Sequence, residues 1–98
     1  MYFFAYGTLA SGGMMAEKCP EAKFVSRAVL KGYRQSAINI TSDERSSVDG
    51  VLWEINEECM EALDTYENCP NWYQRKEVGV YSDKTGEVDA LVYYVPGD

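Results

Sequence analysis

Between Asn56 and Asn68 the chain carries its one strong helical pattern, and the other long apolar runs are of strand length. At about 100° per residue, Ile55, Cys59, Met60, Leu63 and Tyr66 fall on one face, with Glu57, Glu58, Glu61 and Asp64 on the other. Asn56 is a suitable N-cap, and Glu57 and Glu58 sit in the first turn, where the helix dipole favours carboxylates. Asn68 can close the helix in a left-handed conformation, and Pro70 blocks its continuation. Glu67 breaks the pattern. Four residues after Leu63 and seven after Met60, it projects along the apolar sector. A carboxylate aimed at a core must be paired, neutralised or used.

The remaining segments frame that helix. Tyr2–Tyr6 is apolar at every position and reads as a strand buried on both faces. Strands are also expected at Phe24–Leu30, Tyr33–Ile40, Val48–Ile55, Tyr73–Tyr81 and Val88–Val95. Residues 82–87 form a hairpin loop, Thr41–Ser47 an exposed polar loop, and Met14–Cys19 a short helix stopped by Pro20. Short connections between strands favour a sheet curled on itself over a βαβ repeat. The expected fold is α+β: one domain over residues 1–98, a small closed mixed β-barrel of five to six strands with one main helix.

Histidine is absent, which removes Ser-His-Asp and Cys-His catalysis and most zinc sites. Acid–base chemistry is left to Glu, Asp, Tyr, Lys or Cys. Cys19, Cys59 and Cys69 are odd in number and lack a C-x-x-C pair, so reduced thiols are expected, with no disulfide framework or metal clamp. Reduced thiols suit the cytoplasm. A net charge of −7 opposes nucleic acid or an anionic membrane as partner, since both demand basic patches. No apolar run approaches the roughly 18 residues of a membrane span, and the opening MYFFAY lacks the pattern of a signal peptide.

Two features carry chemistry. Gly7, directly after a buried strand, marks a sharp turn. The segment Gly7–Gly13 matches neither phosphate-loop pattern. It is either a simple turn or a nest in which the amides of Gly7, Thr8 and Leu9 capture a carboxylate. Glu67 is either a fastener, paired with Arg75, Lys76 or a tyrosine, or a general acid–base. Burial and the negative end of the helix dipole raise its pKa, whereas a neighbouring Arg75 would lower it. Cys69 has no visible activating partner and reads as a structural thiol, and the acidic helix face from Glu57 to Asp64 reads as solvated surface.

The segment Tyr6-Gly7-Thr8-Leu9 resembles the Y-G-[ST]-L signature of the gamma-glutamylcyclotransferase-like family. Leu30-Lys31-Gly32-Tyr33-Arg34 and Val48-Asp49-Gly50-Val51-Leu52-Trp53 are similar to its L-x-G-Y-R and V-x-G-x-L-[WY] segments. Leu63-Asp64-x-x-Glu67 followed by Tyr73-x-Arg75-x-x-Val78 is similar to its L-D-x-x-E…Y-x-R-x-x-V block. The resemblance implies a pocket between the Tyr6–Leu9 loop and Glu67, with Glu67 as acid–base. The amides of Gly7, Thr8 and Leu9 would hold the glutamyl end of a small gamma-glutamyl substrate. On chemical grounds Tyr6 and Tyr73 are the tyrosines expected to orient either end of it, and no cofactor or metal is expected. Asn68 departs from the family, whose members often carry Gly there. The rival expectation is a non-catalytic module that keeps the barrel and binds a small carboxylate or a protein.

Overall fold

The computed structural model describes residues 1–7, 12–37 and 39–96. Five strands, β1 (Tyr2–Ala5), β2 (Lys23–Ser36), β3 (Asn39–Glu54), β4 (Gln74–Ser82) and β5 (Gly86–Tyr94), close into a barrel in the order β1-β3-β2-β4-β5. All pairings are antiparallel except β1 with β5, where Phe3 lies opposite Leu91. Helix α1 (Gly12–Lys18) follows β1, and α2 (Glu57–Tyr66) links β3 to β4. The barrel is thus mixed and α+β, as expected.

The period of two along each strand sorts side chains into two clusters. Phe4, Leu52, Val48, Ala90 and Val92 point into the barrel with Ala28, Leu30, Val78 and Val80. Phe3, Ala5, Trp53 and Tyr93 point outward and are covered by Cys59, Met60 and Leu63 of α2 and by Met15 of α1. This explains why β1 is apolar throughout: both of its faces are inside something. Gly50 is required at its position, because a Cβ there would run into the Ala5 carbonyl oxygen and the Phe4 ring.

Three expectations are corrected. Thr41–Ser47 is not a loop but part of β3, pairing back onto β2 through Ser36↔Asn39, Gln35↔Ile40, Arg34↔Thr41 and Tyr33↔Ser42. The hairpin extends past the barrel core, so its side chains meet water and its sequence is polar. Gly32, at φ +86°, sits where the register shifts between Lys31 and Tyr33, and it lets one strand continue where a break was expected. Secondly, Cys19 and Cys59 form a disulfide, with Cα atoms 5.2 Å apart, which joins the end of α1 to α2. The two cysteines are 40 residues apart, so no spacing rule could link them; the fold brings them together. Cys69 remains free. Thirdly, Tyr66 is exposed, its ring beneath the Lys18 ammonium at 4.6 Å.

Candidate active site

Helix α2 is built as its sequence requires. The Asn56 side chain accepts a hydrogen bond from the Cys59 amide at 2.8 Å, capping the N-terminus. At the other end Glu67 is the C-cap residue, and Asn68 adopts φ +54°. The Asn68 amide donates to the Thr65 carbonyl at 3.2 Å and the Cys69 amide to the Asp64 carbonyl at 2.9 Å. This bonding is that of a Schellman motif, with Asn68 in the left-handed position usually held by Gly. The departure from the family at Asn68 therefore leaves the helix end unchanged, since Asn is the residue that best replaces Gly there.

That ending fixes Glu67 at the rim of the outer cluster, half-buried. Burial raises its pKa above the ordinary carboxylate value. Tyr6, at the end of β1, and Tyr73, just before β4, lie within electrostatic reach of it. The pKa of each phenol is raised first by burial and further by the Glu67 charge. For Tyr6 the Tyr73 phenol adds to the shift as well. Three of the expected site residues, Glu67, Tyr6 and Tyr73, are thus brought together. Gly7 follows Tyr6 directly and holds φ +70°, the left-handed turn that its position after β1 suggested. Thr8 and Leu9 lie outside the described residues.

Arg75 does not pair with Glu67. Its Nε lies 3.0 Å from Oδ1 of Asp64, one helical turn before Glu67. The same Oδ1 accepts a hydrogen bond from the Tyr93 hydroxyl at 2.6 Å. Arg75 and Tyr93 are directly opposite in the β4–β5 register, so both side chains leave the sheet on the same face and reach the helix together. Tyr93 also accepts, at its backbone carbonyl, the 2.6 Å hydrogen bond donated by the Tyr6 hydroxyl. Burial, and then the hydrogen bond to Asp64, push the Tyr93 phenol far above its usual range, so it stays protonated. Lys76 is placed elsewhere, with its ammonium between the rings of Tyr33 at 4.8 Å and Tyr94 at 4.5 Å. Neither of the two ion pairs among the described residues includes Glu67.

Sequence reasoning missed Asp64 and Tyr93. Asp64 was expected on a solvated acidic face, yet it is half-buried and takes both an ion pair and a phenol hydrogen bond. The available signal was its spacing, one turn before Glu67 and on the side facing the Arg75 strand. For Cys69, burial first and then the Asp64 charge raise the thiol's pKa. A raised thiol pKa disfavours the thiolate, in keeping with a structural role. Among the described residues no group of three or more His, Cys, Asp or Glu is placed to hold a metal ion. No helix among them is long and apolar enough to cross a membrane.

The family model "Gamma-glutamyl cyclotransferase, AIG2-like" matches residues 3–98. The chain belongs to this family. A protein of Methanocaldococcus jannaschii, named "Putative gamma-glutamylcyclotransferase", is 28% identical over 101 residues, spanning 97% of this chain and 84% of the relative. A solved structure named "Gamma-glutamyl cyclotransferase" superposes with a TM-score of 0.87 at 21% identity, over 99% of this chain and 67% of its own. A mouse AIG2-like protein superposes with a TM-score of 0.74 at 22% identity, over 96% of this chain and 76% of its own. At these identities the structures establish the shared fold of the gamma-glutamylcyclotransferase-like barrel.

Proposed function

We propose that this chain is a cyclotransferase for gamma-glutamyl amines or gamma-glutamyl peptides, releasing 5-oxoproline and the amine. The observation that carries the reading is Glu67: a half-buried carboxylate, raised in pKa by burial, beside Tyr6 and Tyr73 at the turn that begins with Gly7.

The reaction suits a chain without histidine, because the nucleophile is part of the substrate. The α-amine attacks the δ-carbonyl carbon of its own gamma-glutamyl group. The ring C–N bond forms, the amide C–N bond breaks, and 5-oxoproline leaves with the free amine. Orienting a tethered pair in this way is worth about 7–11 kcal/mol. Two protons leave the α-nitrogen in passing from ammonium to lactam, and two arrive on the departing nitrogen as it becomes ammonium. Glu67 carries them: as carboxylate it takes a proton from the α-ammonium, and as carboxylic acid it delivers one to the leaving nitrogen. It ends in the state in which it began. Such a positioned acid–base is typically worth about 10²–10⁴ in rate, and a raised pKa brings a carboxylate towards neutral pH, where it serves both steps.

The amides of Gly7, Thr8 and Leu9 are assigned to the negative charge of the substrate's glutamyl end, as donors that need no basic side chain. Because the Tyr6 hydroxyl already donates to the Tyr93 carbonyl, it offers the substrate only lone pairs. Its role is then to accept from the α-ammonium and aim the amine at the δ-carbon. Tyr73 is assigned to the other end of the substrate.

The test is to mix the purified protein with a panel of gamma-glutamyl amines and dipeptides and to follow 5-oxoproline by mass spectrometry. Turnover on at least one substrate, reduced about 10²–10⁴-fold in Glu67→Gln, is expected. No turnover on any of them would leave a non-catalytic carboxylate-binding module as the better reading. Undiminished turnover in Glu67→Gln would remove Glu67 from the chemistry.

A further inference from the structure

The fold gives the Arg75 cation to Asp64, the acid one helical turn before Glu67. Arg75 stands at the start of β4, across the sheet from Tyr93. Asp64 and Glu67 are three residues apart on α2 and its C-cap, so their side chains leave the helix as neighbours, with Cβ atoms about 5–6 Å apart. A guanidinium on β4 that reaches one of them is within reach of the other. It is Asp64 that holds it, with Arg75 Nε 3.0 Å from the same Oδ1 that the Tyr93 hydroxyl contacts at 2.6 Å. Two donors from paired strands converging on one oxygen leave the Asp64 carboxylate little freedom to turn.

We propose that Asp64 is a positioning residue: by pinning and neutralising Arg75 it keeps the guanidinium off Glu67, so that Glu67 has no ionic partner among the described residues and stays free to exchange protons. This assignment rests on Glu67 being the acid–base of the proposed reaction. It differs from that reading in assigning work to a residue that does not touch the substrate.

The alternative for Asp64 is a fastener that ties α2 to β4 and β5 and does nothing for Glu67. The two differ in one observable. A fastener changes stability when it is removed, whereas a charge screen changes where Glu67 titrates. Among the described residues Tyr6 after β1 and Tyr73 before β4 are the titratable groups that feel the Glu67 charge, whereas the Cys69 thiol faces Asp64 and Arg75 and Lys18 of α1 lies over the ring of Tyr66. Burial keeps the Tyr6, Tyr73 and Cys69 protons on, with each pKa raised. Lys18 is engaged at the exposed Tyr66 ring. Arg75 and Asp64 are therefore the pair whose removal, singly or together, tests the idea.

The experiment is a carbon-13 NMR titration of the Glu67 side-chain carboxyl in glutamate-labelled protein, with its signal assigned by loss in Glu67→Gln. Asp64→Asn keeps the acceptor oxygen for Tyr93 and removes the charge that holds Arg75. The Glu67 midpoint is expected to fall by about one pH unit, as for a carboxylate given an arginine neighbour. In Asp64→Asn/Arg75→Gln, which removes both charges, it is expected to return close to the wild-type midpoint. In Arg75→Gln alone it is expected to rise, because the Asp64 charge is then unscreened. An unchanged midpoint in Asp64→Asn, or a fallen midpoint that the second substitution does not restore, overturns the proposal. If Asp64→Asn fails to fold, Arg75→Gln decides alone, and an unmoved midpoint there overturns it equally. The titration needs no turnover. Absence of 5-oxoproline from the wild-type protein therefore counts against the proposed reaction, whereas an unmoved Glu67 in an active protein counts against the role of Asp64.

Discussion

Where the helices cover the barrel, both faces of its wall are buried and yet differ in kind. Inside the barrel Phe4, Leu52, Val48, Val80 and Val92 form an apolar cluster, with tyrosines packed at its margin and Ser82 buried on the same face of β4. Outside, under α2, the same strands contribute Phe3, Trp53 and Tyr93, and the cluster ends in a polar seam of Tyr93, Asp64, Arg75, Tyr6 and Glu67. The interior determines shape, because its buried members Phe4, Ala28, Leu30, Leu52 and the valines carry no group that titrates or donates. The seam is where hydrogen bonds and charges are fixed at the edge of water, the setting in which pKa values move and reactions are run. In the proposed reaction the chemistry therefore belongs to the join between helix and barrel, and the barrel serves as the rigid wall behind it.

The sharpest way to break this contrast is to cut into each side separately. Leu52→Ala, in the barrel interior, should cost about 2–5 kcal/mol of stability, read from urea unfolding. The folded fraction should keep the wild-type Glu67 titration and turnover per native molecule. If Leu52→Ala moves the Glu67 midpoint as well, the wall and the seam are not separable.

The Cys19–Cys59 disulfide belongs to the outer side, where it ties α1 to α2. Breaking it with Cys19→Ser should cost about 2–4 kcal/mol, less than the deepest interior truncations, measured by thermal unfolding under non-reducing conditions. Equal stability of the variant and the oxidised wild type would mean that packing alone holds the two helices together.

The smallest effect concerns Glu67 and stability. Because burial raises its pKa, the native state keeps the Glu67 proton to higher pH than the unfolded chain does. Between the ordinary carboxylate value and the raised native one, the folded protein binds more protons than the unfolded, so Glu67 lowers stability as pH rises through that window. Glu67→Gln has nothing to ionise. Its urea midpoint should match the wild type below the window and be equal or slightly higher at pH 7, the difference being small because Glu67 is only half-buried. A Glu67→Gln protein clearly less stable at pH 7 would make the carboxylate a structural anchor and erase the distinction between seam and wall.

How much of this was legible in the sequence follows the same division. Periodicity gave the α2 helix with its Asn56 and Asn68 ends, and the apolar run of Tyr2–Ala5 foretold a strand covered on both faces. Short-range physics suffices for such features, since caps and alternation are local. The 41–47 segment of β3 was misread because polarity marks a loop only where strands end at the core, and here the β2–β3 hairpin runs beyond it. The disulfide and the destination of Arg75 were not legible at all, because both depend on which residues the closed barrel sets side by side across 40 and 11 positions of sequence, respectively. Glu67 stood out as a carboxylate where an apolar residue was due. Asp64 did not, since it falls on the face where acids are ordinary, and only the Arg75 and Tyr93 contacts distinguish it.

In the proposed reaction Glu67, placed at the helix–barrel seam and raised in pKa by burial, is the group whose ionisation permits turnover. The most direct test sets two curves side by side: the acid limb of kcat/KM for the best gamma-glutamyl substrate, and the carbon-13 titration of the Glu67 carboxyl in the free enzyme. One midpoint is expected for both, above the ordinary carboxylate range. An acid limb that does not coincide with the Glu67 titration, or a Glu67 that titrates as an ordinary exposed carboxylate, would contradict it.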